Sequence, residues 1–109
     1  MSLSIPFKSL IVAAASVWAS AAQAQPAESQ ALRVKSLAAT CAQCHGTAGH
    51  TVDDADVPGL VGLQASYIVA QMKAFRSGTR TATVMQQLAK GFSEAQVEQI
   101  AAYFAAQPR

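Results

Sequence analysis

Two cysteines in a chain of 109 residues, Cys41 and Cys44, with His45 directly after the second, restrict what this sequence can fold around. The spacing C-x-x-C-H is the attachment signature of a c-type haem. Each position has a chemical task. The two thiols can add to the two vinyl groups of a haem to give thioethers, and a neutral imidazole nitrogen is a good donor to iron. One helical turn brings both sulfurs to the same porphyrin edge, so the motif calls for a helix at Cys41 and an apolar ring beside it.

Other chemistries of the same residues fit less well. A thioredoxin-like dithiol opens a helix after a strand, and no alternating β-branched run precedes Cys41. A zinc site from Cys41, Cys44, His45 and His50 lacks the longer spacer that normally separates ligand pairs. A Cys41–Cys44 disulfide closes a very small loop and leaves His45 without a role.

The N-terminus reads as a secretory signal over residues 1–24. Lys8 forms a short n-region, Leu10 to Ala19 an apolar stretch, and Ala22-Gln23-Ala24 a small-residue cleavage site. The stretch is alanine-rich and too short for a membrane span, so the mature form is expected to have none. Export agrees with haem attachment outside the cytoplasmic membrane and places the protein in the periplasm. Residues 25–109 then form one domain, near the size at which a chain usually needs a staple, and a buried haem supplies it. The mature segment carries Arg33, Lys35, Lys73, Arg76, Arg80, Lys90 and Arg109 against Glu28, Asp53, Asp54, Asp56, Glu94 and Glu98. This balance is unlike the basic surface of a nucleic-acid-binding protein, which excludes that class of partner.

Apolar periodicity predicts helices throughout. The segment from Ser29 to Thr40 can bury Leu32, Val34, Leu37 and Ala38 and lead into the motif. A loop follows from Gly46 to Leu63, marked by glycines, the acidic run Asp53-Asp54-Ala55-Asp56 and Pro58. A second helix is expected from about Ser66 to Gly78, burying Ile68, Met72 and Phe75 and turning Lys73 and Arg76 outward. The last helix has the clearest start, with Ser93 and Gln96 as a capping box and Phe92 and Val97 as a hydrophobic staple. Its buried stripe is Val97, Ile100, Ala101 and Phe104, and it ends before Pro108.

Iron held by His45 needs a partner on its other face. Met85 follows a polar segment beginning at Gly78 and lies far enough along the chain to reach back over a porphyrin. Met72 fits the apolar stripe of its own helix, the usual place of a core filler, and His50 is only five residues past His45. The reading favours Met85, with Met72, His50 or an open position as the alternatives.

The chain resembles the class I c-type cytochromes from about Ser29 to Gln107. The resemblance rests on Cys41-Ala42-Gln43-Cys44-His45-Gly46-Thr47, on Pro58-Gly59-Leu60 and on Met85. It implies an all-α class I cytochrome c fold, with short helices packed around one covalently attached haem c. Carried over, Cys41 and Cys44 are the thioether positions, His45 the proximal ligand and Met85 the distal ligand, and the Pro58 carbonyl orients His45. The stretches Phe75-Arg76-Ser77-Gly78, Thr83-Val84-Met85, Ala89-Lys90-Gly91-Phe92-Ser93 and Ala102-Tyr103-Phe104 are similar to the haem subunit of flavocytochrome c sulfide dehydrogenase. That likeness implies an FAD-bearing flavoprotein subunit, or another redox protein, as partner. Single-haem carriers of the c4 and c553 kind share the Phe75-to-Gly78 style of segment and the Lys90-Gly91 turn.

The function read from this is one-electron transfer without bond chemistry on a substrate. A haem-based gas sensor and a peroxidase are the rivals. The first requires Met85 to leave, and the second an open distal side with acid or base groups, for which His50 is the obvious candidate. The acidic run lacks the twelve-residue calcium-loop pattern and reads as a solvated loop. Lys73, Arg76, Arg80 and Lys90 are a candidate docking set for an acidic partner.

Overall fold

The computed structural model describes residues 26–109. The expected signal segment and the expected cleavage after Ala24 lie outside the described residues. The chain divides into two compact units, Met1–Leu32 and Arg33–Arg109. Of the first, residues 26–32 are described and are helical, with the Ser29 hydroxyl donating to Pro26 O at 3.0 Å.

Every element of the described residues is helical, and no strand is present among them. Helix α1 covers 26–39, starting earlier than the apolar pattern suggested and leaving Leu32 exposed. Burial on α1 begins further along, with Val34 and Leu37 partly buried and Ala38 buried. The helix closes where the Thr40 hydroxyl donates to Leu37 O at 2.7 Å and Cys41 N donates to Ala38 O. Hydroxyl side chains compete in this way for the last carbonyls of a helix. Helix α2 is the single turn Ala42–His45, followed by a 3-10 turn at Thr47–Gly49. Helix α3 spans Ala65–Ser77, α4 spans Met85–Ala89 and α5 spans Glu94–Ala105.

The ends of α3 and α5 follow the sequence closely. Gly78 ends α3 at φ 80°, a left-handed cap that glycine adopts without penalty. At α5, Ser93 Oγ accepts from Gln96 N at 3.2 Å while Gln96 Oε1 accepts from Ser93 N at 2.8 Å, the full capping box. Val97 is buried just inside it and Phe92 partly buried just outside. Helix α4 was not anticipated; five residues carry too little periodicity to announce a helix.

Within Arg33–Arg109 the core is built from Ala38 of α1, Ile68 of α3, and Ile100, Ala101 and Phe104 of α5. Leu37, Cys41, Leu60, Leu63 and Met72 pack around these, so one end of the attachment motif is part of the core. Phe104 is the largest fully buried side chain, and the Tyr103 ring meets it edge-on at 5.2 Å. The expected stripes on α3 and α5 are observed, with Ile68 and Phe75 buried on the former and Val97, Ile100, Ala101 and Phe104 on the latter. Met72 is only partly buried.

Candidate haem site

The sequence from Cys41 to His45 winds a single turn, and backbone bonds from Cys44 N and His45 N both close on Cys41 O. Both thiols are free, Cys41 partly buried and Cys44 exposed. Burial pushes the Cys41 thiol above its ordinary pKa, partly offset by the Thr40 hydroxyl 3.9 Å from Sγ. The two sulfurs therefore differ, one held against the core and one open to solvent.

His45 is fixed by a distant part of the loop. Its Nδ1 lies 2.6 Å from Pro58 O, so the ring donates Nδ1–H to that carbonyl and presents Nε2 as its basic nitrogen. Such a bond fixes the tautomer and rotation of an imidazole and raises its basicity. The contact spans 13 residues of chain and depends on how the loop folds back.

Two glycines make that fold possible. Gly46, at φ 82° and ψ 161°, occupies a region open essentially to glycine alone, and a Cβ there would stand 1.9 Å from His50 O. Gly49, at φ 85°, is buried, and a Cβ there would come within 2.9 Å of the Phe104 ring. With no side chain in the way, Gly49 O accepts from Leu60 N at 2.9 Å and from Val61 N at 3.3 Å. Gly62 N donates to Phe104 O, and Arg109 donates to Gly62 O at 2.9 Å. The loop carrying Pro58 is thus sewn to the first turn after the motif and to α5.

Met85 opens α4, a helix with no side-chain cap at its start. The residue is partly buried, while its neighbours Val84 and Leu88 are 54% and 46% exposed. Ala89, at the other end of α4, is completely buried. Met72 lies on α3 against the core, and His50 is an exposed residue closing the 3-10 turn. Among the described residues no group of three or more His, Cys, Asp or Glu side chains comes together as a metal cage, so the four-ligand zinc arrangement does not form.

Arg76 departs from the outward orientation expected of it. Its guanidinium is partly buried, donating to Ala89 O through Nε at 3.3 Å and Nη2 at 3.2 Å, and through Nη2 to Phe92 O. The apolar spacing on α3 distinguished core from non-core positions but not solvent from a neighbouring carbonyl. Arg80 is also engaged, over the Phe75 ring at 4.6 Å and with Gln71 Oε1 as acceptor. Lys73 shares a narrow crevice between α3 and α5 with Glu94 and Glu98. Of the four basic residues proposed for docking, Arg76 is therefore committed to the fold.

A helical unit that holds two free cysteines and a carbonyl-oriented histidine in C-x-x-C-H spacing defines the c-type haem proteins. The cytochrome c family model matches residues 31–107, and the chain belongs to that family. Its fold is the class I cytochrome c fold and its cofactor is covalently bound haem c, for which Cys41 and Cys44 supply the attachment motif. The residues fit that group. The thiols are unpaired and Nε2 of His45 is left as donor.

The chain is 38% identical over 68 residues to the cytochrome subunit of sulfide dehydrogenase from Chlorobaculum tepidum, covering 62% of this chain and 60% of that protein. It is 38% identical over 71 residues to cytochrome c-554(548) of Halomonas halodenitrificans, covering 62% of this chain and 84% of that protein. A solved cytochrome c4 from Acidithiobacillus ferrooxidans superposes with a TM-score of 0.57 at 38% identity, over 61% of this chain and 37% of that one. The thiosulfate dehydrogenase electron acceptor of Thiomonas intermedia is 40% identical over 67 residues, 62% of this chain and 31% of that protein. The chain thus spans from about a third to three fifths of the length of several relatives it matches.

Proposed function

We propose that this chain is a monohaem electron carrier of the periplasm, with Cys41 and Cys44 as thioether positions, His45 as proximal ligand oriented by Pro58, and Met85 as distal ligand. The observation that carries the reading is the bond between His45 Nδ1 and Pro58 O at 2.6 Å, which tunes an imidazole for service as a metal ligand. When bound, the haem supplies an iron that gains and loses one electron. The protein's part is to hold the donors, exclude water and set the potential, which a thioether raises relative to a second imidazole.

The electron donor is read as a sulfide-oxidising flavoprotein bearing FAD, on the likeness to the sulfide dehydrogenase cytochrome subunit. A second reading, a free-standing carrier, is favoured by the likeness to cytochrome c-554(548), most of whose length the chain covers. Purification from the host separates the two. Flavin absorption that co-elutes with haem, with sulfide reducing the pair, supports the first, whereas haem alone and no reduction by sulfide supports the second.

Ligation and processing have their own tests. In the oxidised protein Met85→Ala is expected to abolish a weak red absorption band and lower the potential; an unchanged band removes Met85 from the site. Among the described residues no helix is long and apolar enough to cross a membrane. Mass spectrometry of the mature chain is expected to find it starting at Gln25, leaving residues 25–109 as one domain.

A further inference from the structure

We propose that Arg76 is the positioning residue for Met85, its guanidinium bridging Ala89 O and Phe92 O so that α4 is held against α3. This rests on the reading of Met85 as distal ligand. Helix α4 cannot hold its own place. At five residues it is far below the length at which a helix persists alone, and its first residue has no side-chain cap. Its side-chain anchor is weak as well: Ala89 is fully buried but small, while Val84 and Leu88 are largely open.

Arg76 supplies what is missing. It is fixed on the last turn of α3, one residue after buried Phe75, and so is carried by the core. From there Nε and Nη2 converge on Ala89 O, the last residue of α4, and Nη2 also reaches Phe92 O beside the cap of α5. The last carbonyls of any helix need partners from outside it. Gln87 O and Leu88 O find theirs in Lys90 N and Gly91 N, and Ala89 O finds its partner in Arg76. The planar, forked guanidinium offers these two carbonyls donors in fixed directions from a long stem, whereas a lysine ammonium carries its donors on a freely turning point charge and holds the pair less rigidly. The consequence for the site is the placement of Met85, one helical turn from the fastened residue.

Exogenous imidazole tests this, because it competes with Met85 for ferric iron. Its apparent affinity rises in proportion to the fraction of molecules in which Met85 is off the metal. Spectral titration of the holoprotein with imidazole is expected to show Arg76→Leu binding about tenfold or more tightly than the parent, the scale of one lost charge-assisted hydrogen bond. Arg76→Lys should fall between them. Arg109→Ala, which frees a clasp of the same kind at Gly62 O, should stay within about twofold of the parent.

Parent-like affinity in Arg76→Leu overturns the proposal, as does an equal rise in Arg109→Ala, which would mean general loosening. Should Arg76→Leu fail to accumulate, Arg76→Gln, which keeps a polar side chain but loses the forked cation, decides, and parent-like affinity there is equally fatal. Met85→Ala sets the ceiling of the titration. If that variant binds imidazole like the parent, the ligand assignment itself has failed, a result distinct from failure of the strap alone.

Discussion

The loop behind His45 and the segment carrying Met85 are held by different means. From Gly46 to Gly62 the chain is fastened mostly through backbone pairs, Gly49 O to Leu60 N and Val61 N and Gly62 N to Phe104 O, with the His45 ring on Pro58 O and Arg109 on Gly62 O as the added side-chain bonds. From Gly78 to Phe92 it is fastened mostly by side chains from α3. Arg76 takes Ala89 O and Phe92 O, while Arg80 lies over Phe75. Backbone fastening needs positions where a Cβ cannot stand; side-chain fastening needs long cations and leaves the backbone ordinary. The first half is therefore intolerant of added atoms and the second of lost ones.

The largest test of this contrast is Gly46→Ala. Holding an L-residue in that glycine-only region costs about 1–3 kcal/mol and overpacking about 1–3, for a combined loss of roughly 2–6 kcal/mol. A domain of this size should then melt some 10 °C or more lower by circular dichroism of the holoprotein. A loss no greater than that of a distal side-chain deletion would break the comparison. Arg80→Ala is the matching distal change. Arg80 is exposed although the Phe75 ring beneath it is buried, and a cation–ring contact with its cation in solvent is worth about 0.5–1 kcal/mol, so the fall in melting temperature should be correspondingly small.

Smallest of all should be the effect of Lys90→Gln on stability, since the residue is exposed and makes no fold-fastening side-chain bond among those observed. Its expected effect is on encounter: slower reduction by an acidic partner at low salt, with the difference erased as ionic strength rises. Salt-independent reduction of the parent protein would remove charge steering from the account. Read together, the three variants rank backbone strain above side-chain bridging above surface charge.

Much of the proximal half could be read in advance because its determinants are local or carried by marked residues. Cys41, Cys44 and His45 sit within one turn, whereas the role of Pro58 comes from the resemblance to the class I cytochromes and not from its local surroundings. The α5 capping box was legible because Ser93 and Gln96 are three residues apart and each supplies what the other needs. Helix α4 and the role of Arg76 were not legible. Five residues cannot display a 3.6 period, and an arginine on the polar side of a helix looks the same whether it meets water or a carbonyl thirteen residues away.

The sequence by itself therefore determined the cofactor and the all-helical class, and it offered His45, Met85, Met72 and His50 as candidate donors to iron, since these follow from donor chemistry, spacing and apolar periodicity. Tertiary structure alone decided which carbonyl accepts from which distant donor. The loop had to close on Gly49 before Pro58 could meet His45, and α3 had to lie beside α4 before Arg76 could hold the turn that bears Met85. Hydrogen bonds between segments far apart in the chain have no signature in local sequence, because the geometry that makes them exists only once the core of Ala38, Ile68, Ile100, Ala101 and Phe104 has formed.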